Sequence, residues 1–238
     1  MRSFVLFLAA ITAGIAWADP VPGIILPLHD VDVGTAVAGI VSEVLVKEGD
    51  IVAQDQPLVR LDDAMEKLDV DRAGKVLEKA KFDHEAAEKL LADKIGTREA
   101  ALTKRIEFDL AGIQLAAAEV RLKQRSLRAP LPGIVVKVSK EPGEAVLLNE
   151  TVVQVVHIQE VYAQFYLEPL QLTTLKTGMN LKFRVPSLPA PREFAGAVDF
   201  IDPRMDAESG LYRVKLRLKN PGLRLKAGMR VEADFAQP

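Results

Sequence analysis

An internal repeat, with its two copies far apart in the chain, constrains the fold most strongly. The first copy opens with Gly39-Ile40-Val41-Ser42-Glu43-Val44 and the second with Gly133-Ile134-Val135-Val136-Lys137-Val138. At the same offset, Gly49, Val52 and Val59 recur as Gly143, Val146 and Val153. Each copy predicts two short strands around a turn. One such hairpin is too small to bury a core, so the copies are expected to face each other in one small β-sandwich.

Five glycines are predicted to be structural turn residues: Gly39, Gly49, Gly133, Gly143 and Gly228. Gly49 and Gly143 fit turn positions that need positive φ. Since both are followed by an acidic residue, the two copies predict the same turn in the same place.

A helical insertion separates the two copies. From Ala64 to Lys94 there is no proline, and alanine, leucine, glutamate and lysine dominate. Heptad spacing predicts a helix–helix seam along this segment. Its members are Ala73, Leu77, Ala80, His84, Ala87 and Leu91. A second helix is expected to run to about Ser126, with the seam Leu102, Ile106, Asp109, Ile113, Ala116, Val120, Lys123 and Leu127.

Ile95-Gly96-Thr97 interrupts the helical pattern. Gly96 suits the C′ position after the first helix, and Thr97 suits the N-cap of the second. Two helices of similar length joined by a short loop predict an antiparallel hairpin. At about 1.5 Å per residue this arm would project roughly 45 Å. Its thin seam suggests sideways packing against copies of itself, with a solvated strut as the alternative.

The chain after the second copy returns to strands. Turn signals such as Lys176-Thr177-Gly178 and Ala227-Gly228 separate short apolar stretches. The expected strands are Val161–Leu167, Asn180–Val185, Phe194–Ile201, Leu211–Leu218 and Met229–Phe235. Strands of this length and spacing predict a small β-barrel.

The N-terminus has the pattern of a secretory signal peptide. Arg2 precedes an apolar run from Phe4 to Ile15, and Ala16-Trp17-Ala18 is a small-x-small site. Cleavage is expected after Ala18, which would leave Asp19 to Pro238 in the periplasm; an uncleaved anchor is the alternative. The chain has no cysteine, so it forms no disulfide. Its net charge of -2 argues against a nucleic-acid partner.

Three segments in this order resemble the membrane fusion protein family, also called periplasmic adaptors of the HlyD/RND type. They are Gly39-Ile40-Val41 through Leu61-Asp62, Arg128-Ala129-Pro130-Leu131-Pro132-Gly133-Ile134-Val135, and Asn220-Pro221-Gly222-Leu223-Arg224-Leu225-Lys226-Ala227-Gly228-Met229. The resemblance implies an elongated α+β chain: a lipoyl-like sandwich interrupted by an α-helical hairpin and followed by a β-barrel. It further implies an association with the inner membrane through a transporter, and rings that are commonly hexameric.

The expected domains follow from this resemblance. They are a signal peptide (1–18), an N-terminal segment with the first lipoyl-like half (19–63), the coiled-coil hairpin (64–127), the second lipoyl-like half (128–158) and the barrel (159–238). The chain ends just past the last barrel strand, so the membrane-proximal domain of many family members is expected to be missing. Contact with the pump would then fall on the barrel and the short N-terminal segment.

The resemblance also suggests a function: linking an inner-membrane transporter, most simply of the RND type, to an outer-membrane channel of the TolC type for export of small molecules. Adaptors of ABC-type exporters and structural envelope proteins without a transporter are the alternatives. Family members tend to carry Arg, Leu and Ser at seven-residue steps across the hairpin tip. The matching residues here are Asp83, Leu90 and Thr97. With Ile95 and Gly96 they form the expected partner-binding tip, unless Thr97 only caps its helix and Leu90 only packs the hairpin.

Two other classes fit the sequence poorly. A lipoyl or biotin carrier needs a modifiable lysine on its hairpin, but Asp62-Asp63-Ala64 stands there and Asp63 cannot form the amide. His29, His84 and His157 have no paired ligand spacing. His84 lies on the predicted seam, where a packed or interhelical hydrogen-bonding residue is expected. The sequence therefore predicts no enzyme activity, no cofactor and no metal.

Overall fold

The computed structural model describes residues 20–235; the predicted signal peptide lies outside them. Twelve strands and three helices follow one another along these residues. The strands are β1 (Val21–Gly34), β2 (Gly39–Val44), β3 (Ile51–Val52), β4 (Pro57–Leu61), β5 (Ser126–Arg128), β6 (Gly133–Val138), β7 (Ala145–Val146), β8 (Thr151–Leu167), β9 (Asn180–Arg184), β10 (Glu193–Met205), β11 (Tyr212–Lys219) and β12 (Arg230–Ala233). The helices are α1 (Ala64–Ala92), α2 (Arg98–Gln124) and α3 (Pro169–Leu172). The predicted α+β class, with a sandwich, a hairpin and a barrel-like domain, is confirmed.

The chain divides into two compact units. Residues 28–159 form the sandwich with its helical hairpin, and residues 160–235 together with residues 20–27 form the barrel unit. The N-terminal segment was expected to accompany the first lipoyl-like half. The structure differs there, because Val21 to Ile24 pair with β12.

In the sandwich, each copy of the repeat pairs with the other. Strand β2 of the first copy pairs with β7 of the second, and β3 of the first pairs with β6 of the second. The Gly49 amide donates to the Val135 carbonyl at 2.8 Å, and the Gly143 amide donates to the Val41 carbonyl at the same distance. The two copies thus interlock around one apolar core, which neither could enclose alone.

The turns after β3 and β7 also have matching conformations in the two copies. Asp55 and Asn149 stand at the repeat offset, and both have positive φ, of 62° and 61°. Next to them, the Gln56 side chain accepts from the Ala53 amide at 2.9 Å, and the Glu150 side chain accepts from the Leu147 amide at 2.8 Å. The matched polar contacts show that the repeat covers whole turns as well as strands.

The five predicted turn glycines divide into two groups. Gly49, Gly143 and Gly228 have φ of 93°, 94° and 87°, the left-handed region that glycine enters without strain. Gly39 and Gly133 are not turn residues: each is the first residue of a strand. A Cβ on Gly133 would come within 2.7 Å of the Val156 carbonyl oxygen, so this position needs glycine because of a close backbone approach.

The barrel unit contains the five predicted strands and one that was not predicted. Its strand order is β1-β12-β9-β10-β11-β8, and β1 also pairs with β8. The N-terminal strand therefore closes a barrel that the sequence placed in residues 161–235 alone. Closure removes the exposed sheet edges and encloses a core that includes Ile25, Phe165 and Phe183, each fully buried.

Two of the predicted turns in the barrel share one geometry that the sequence alone did not reveal. Lys176-Thr177-Gly178-Met179 and Lys226-Ala227-Gly228-Met229 each precede a strand. In both, the glycine has positive φ and the methionine Sδ accepts the lysine amide, at 3.2 and 3.4 Å. The Lys176-Thr177-Gly178 segment is thus a strand-entry turn.

Candidate functional site at the hairpin tip

Helices α1 and α2 run antiparallel and bury small side chains between them. All six residues of the seam predicted for α1 are partly buried, and their neighbours on the outer side of the helix are exposed. His84 stacks on Phe108 with ring centroids 5.6 Å apart. His84 is therefore a packing residue of the seam, in agreement with its expected role.

The seam predicted for α2 is wrong. Leu102, Ile106, Ile113 and Val120 are all exposed, and Leu127 lies beyond the helix in β5. The residues that face α1 belong to another heptad row, in which Ala101, Ala111 and Ala118 are buried. Small residues occupy the interface because two helices approach closely only where side chains are short. The larger aliphatic row of α2 is left facing away from α1.

The tip of the hairpin is a turn from Asp93 to Thr97. Lys94 has the left-handed φ of 60°, so Lys94 and not Gly96 occupies the C′ position expected for glycine. The amides of Ile95 and Gly96 both donate to the Leu90 carbonyl at 2.9 Å. A Cβ on Gly96 would lie 3.2 Å from Leu90 Cβ. Glycine therefore fits this position because a larger residue would crowd Leu90. Thr97 Oγ1 accepts from the Ala100 amide at 3.2 Å and caps α2.

A groove of about 690 Å³ lies on one face of this tip. Asp83, Leu90 and Thr97, the three residues at seven-residue steps, all line it. Ile95 and Gly96 sit at the turn and are not part of its lining. Leu90 is 47% exposed and Ile95 is 76% exposed. The structure thus places three of the five predicted tip residues in one groove and leaves an apolar side chain accessible at its wall.

The groove is acidic, a feature that the sequence analysis noticed only at Asp83. Glu99, Lys104 and Glu107 also line it. The Lys104 ammonium lies 2.7 Å from a Glu107 carboxylate oxygen. This hydrogen bond raises the pKa of Lys104, with a smaller contribution from the Asp83 charge. The sequence did contain a signal for this acidic groove. Charged residues three positions apart on α2 share one face of the helix, and that face could have been compared with the row of α1 that contains Asp83.

The opposite face of the tip carries a second groove, of about 480 Å³, with the reverse charge balance. Arg98 and Arg105 line it together with the single carboxylate of Glu88. Leu91 and Leu102 supply its apolar surface. The two faces of the hairpin end therefore differ in charge sign, and a partner can distinguish them electrostatically.

The acidic pair at the start of α1 is structural. Asp63 binds Lys67 at 2.8 Å, one helical turn away, and the Asp62 side chain accepts from the Ala64 amide at 3.2 Å. Acidic groups at this position favour the helix dipole. Within residues 20–235 no three His, Asp or Glu side chains come together as a metal site. Over the same residues, no helix is long and apolar enough to cross a membrane.

A sandwich interrupted by a helical hairpin and joined to a small barrel defines a class of adaptor proteins, and sequence comparison agrees with this class. Residues 29–157 match the family described as CzcB-like, barrel-sandwich hybrid domain. Residues 161–238 match the family described as CusB-like, β-barrel domain. The chain belongs to the membrane fusion protein family of periplasmic adaptors, which are not enzymes.

Two curated relatives are similar over most of the chain. The nodulation protein NolF of Rhizobium meliloti is 24% identical over 233 residues, which cover 90% of this chain and 62% of NolF. A Haemophilus influenzae protein is 24% identical over 217 residues, covering 91% of this chain and 56% of the relative. The chain thus spans about three-fifths of the length of these relatives.

Solved structures share the fold. A MacA–MexA chimera that contains the Pseudomonas aeruginosa MexA α-hairpin domain superposes with a TM-score of 0.79 at 20% identity, covering 91% of this chain and 78% of the chimera. The membrane fusion protein Spr0693 of Streptococcus pneumoniae has a TM-score of 0.71 at 18% identity, covering 90% of this chain and 99% of Spr0693.

Proposed function

We propose that the chain is a periplasmic adaptor that links an inner-membrane transporter to an outer-membrane channel of the TolC type for export of small molecules. The observation that carries the proposal is the hairpin itself. It extends from a sandwich matched to an adaptor family and ends in a groove lined by Asp83, Leu90 and Thr97. A rigid two-helix arm with an accessible apolar side chain at its end suits a docking element.

An RND transporter is the proposed partner at the inner membrane. The barrel matches a family described as CusB-like, whose name refers to the RND class. Closed barrels present their loops and outer strand faces as contact surfaces. In this proposal the pump contacts the barrel unit, including its N-terminal strand β1, and the hairpin contacts the channel.

Self-association is proposed to occur along the outer edges of the hairpin. Ile106, Ile113 and Val120 lie seven residues apart on α2, opposite its seam, and all are exposed. On α1, Leu68 and Phe82 take the corresponding outer position and are exposed as well. Packing the α2 edge of one copy on the α1 edge of the next is heterologous, and such contacts generate rings when the rotation closes. A hexamer is the proposed ring.

The proposed location is the periplasm, reached with the help of the signal peptide. Sequencing the N-terminus of the protein from a periplasmic extract should give Asp19 as the first residue. A protein that retains Trp17 would contradict cleavage after Ala18.

The docking role is tested by comparing Leu90→Asp and Thr97→Asp in an export assay. Aspartate is a good N-cap residue, so Thr97→Asp keeps the helix while it changes the tip surface. We expect both variants to keep wild-type circular dichroism. Leu90→Asp should lose export because the apolar contact is removed, and Thr97→Asp should change export because a partner seated in this groove meets an added charge. Leu102→Asp, at an equally exposed leucine on the opposite face, is the matched control and should export normally. Folded variants with unchanged export would contradict the docking role.

Ring formation has its own test, because it depends on a different surface. Ile106→Glu combined with Ile113→Glu should lower the mass of the assembly measured by analytical ultracentrifugation, with the monomer still helical. An unchanged mass would place the self-contact elsewhere.

A further inference from the structure

We infer that the groove lined by Asp83, Leu90 and Thr97 binds a helix of the outer-membrane channel that presents lysine or arginine side chains. This inference rests on the proposed function, since it assumes that the channel docks at the tip. It adds the chemistry of the partner surface and the face of the hairpin that receives it.

The argument begins with unpaired charge. Asp83 and Glu99 line the groove, and neither carboxylate has a hydrogen bond or ion pair within the part of the chain that the structure describes. The single lysine of the groove is engaged by Glu107 at 2.7 Å. A cationic partner therefore meets two carboxylates without a hydrogen bond or ion pair, and the one cation among the lining residues is already paired.

The shape of the groove suits long basic side chains. Its lining includes Ala86, Ala87 and Ala100, whose short side chains allow a helix to approach closely. Lysine and arginine can lay their aliphatic stems on such a lining while the charged ends reach the carboxylates. Leu90 at the wall supplies an apolar contact, so the groove offers both an anchor and an orienting charge.

The position of Asp83 makes the inference specific to this chain. The family resemblance implies an arginine there, and a carboxylate reverses the sign of the charge. If the partner kept the surface that suits an arginine, the contact would be repulsive at this residue. A channel that works with this chain is thus expected to carry the reverse charge at the facing position.

A second copy of the chain is the competing occupant. Arg98 and Arg105 on the opposite face could meet the acidic groove of another hairpin. The charge-reversal variant Asp83→Lys/Glu99→Lys separates the two occupants. If the groove binds the channel, this variant alters channel recovery and leaves the mass of the purified adaptor unchanged.

The experiment uses the full chain, tagged and expressed in its native host, and the channel that co-purifies with it from detergent-solubilised envelopes. We expect Asp83→Lys/Glu99→Lys to lower channel recovery about tenfold, because two exposed ion pairs are lost. Glu88→Lys, which reverses the one carboxylate lining the opposite groove, should change recovery less than about twofold. Raising NaCl from about 50 to 500 mM should weaken the wild-type complex more than the reversed variant.

The decisive result is a charge swap. Changing a lysine or arginine at the periplasmic end of the channel to glutamate should restore recovery with the reversed adaptor. Asp83→Arg, which restores the residue expected from the family, should weaken binding; stronger binding would overturn the inference. Unchanged recovery with the reversed variant would overturn it too, and would leave the docking role intact. A changed adaptor mass would assign the groove to self-contact. If the wild-type chain recovers no channel, the proposed function fails.

Discussion

The two halves of the sandwich have the same local backbone but carry different elements. The first half, Thr35–Leu61, leads into the helical hairpin, and the second half, Ala129–Val155, continues along β8. Their turns superimpose in φ, with 93° at Gly49 and 94° at Gly143. Their strand-opening glycines differ in surroundings: Gly39 faces the Arg125 guanidinium, whereas Gly133 faces the Val156 backbone. Matching sequence motifs therefore specify matching turns. The stability lost when a strand-opening glycine is replaced depends instead on the neighbours of each half.

The largest expected effect separates the two strand-opening glycines. Gly133→Ala places a methyl group 2.7 Å from a buried carbonyl oxygen and 2.8 Å from Val155 Cγ1. Neither atom can move freely, so we expect a loss of about 2–3 kcal/mol in unfolding free energy. Gly39→Ala meets side-chain atoms instead, the end of Arg125 at 2.8 Å and Leu61 Cδ1 at 3.3 Å, and should cost about 1 kcal/mol or less. Denaturant unfolding measures both, and equal losses would remove the proposed difference between the halves.

The next effect should be the same in both halves. Gly49→Val and Gly143→Val each force a β-branched residue into the left-handed region, although nothing lies within 4 Å of either added Cβ. Each should cost about 1–2 kcal/mol through backbone strain alone. Gly74→Ala is the control, since it lies in a helix with free space around it and should stabilise by up to about 1 kcal/mol. Losses at Gly49 and Gly143 that differ by more than measurement error would show that the turns are not equivalent.

A contact found only beside the first half should give an effect of intermediate size. Arg125 binds Glu66 at 2.6 Å and donates to the Ala38 carbonyl at 3.0 Å, so it fastens both ends of the hairpin to the loop before β2. Arg125→Ala should cost about 1–2 kcal/mol, because the two partners are left without their donor. Arg125→Lys keeps the charge and should recover only part of this loss. Hydrogen exchange should show faster opening at the base of α1; unchanged exchange there would contradict the fastening role.

The smallest effect is a difference in acid sensitivity. Hydrogen bonds from Lys140 and from the Leu147 amide lower the pKa of Glu150, and the bond to Glu150 raises the pKa of Lys140. A lowered carboxyl pKa stabilises the fold above the unfolded value and is lost as the pH falls through the folded value. A raised lysine pKa acts below its unfolded value and is lost at high pH. The pair therefore contributes between about pH 5 and pH 10.

The first half has the neutral Gln56 at this position, making the same turn contact without a charge. Glu150→Gln should thus reduce the fall in melting temperature between pH 7 and pH 4 by about 1–2 °C. Gln56→Glu is the matched control: it keeps the Ala53 amide contact, but Val46 stands where the second half has Lys140, so it should increase the acid sensitivity by less. An unchanged pH profile for Glu150→Gln would show that the pair at Lys140 is fully screened.

The hairpin shows that sequence periodicity identifies the buried face of one helix but not of the other. On α1 one heptad row is apolar or small and its neighbours are charged, so the row that includes Leu77 and Leu91 was predicted to face the other helix, and it is partly buried there. On α2 two rows have heptad spacing. The prediction placed the row with Ile106, Ile113 and Val120 at the seam, but the alanine row with Ala111 packs on α1. Which row is buried depends on how closely the helices approach, and this distance is set by both helices together.

The groove at the hairpin tip was only partly predictable. Seven-residue spacing places Asp83 and Leu90 on one face of α1, and the structure finds both in the groove. The facing residues Glu99 and Lys104 lie on α2, and their place relative to Asp83 depends on the rotation of α2 about its axis. Because the α2 seam was assigned to the wrong row, the acidic character of the whole groove could not be derived.

The sequence by itself determined the repeat, the positive-φ turns at Gly49 and Gly143, the two helices and the five later strands, because each depends on local conformational preferences and a short period. Only the tertiary structure decided that the copies exchange strands, that β1 closes the barrel and that α2 turns its large aliphatic row outward. Strand β1 contains Pro22 and Pro27, which weaken any local strand signal. Its conformation is fixed by pairing with β12 and β8, partners that are remote in sequence and that no local pattern reveals.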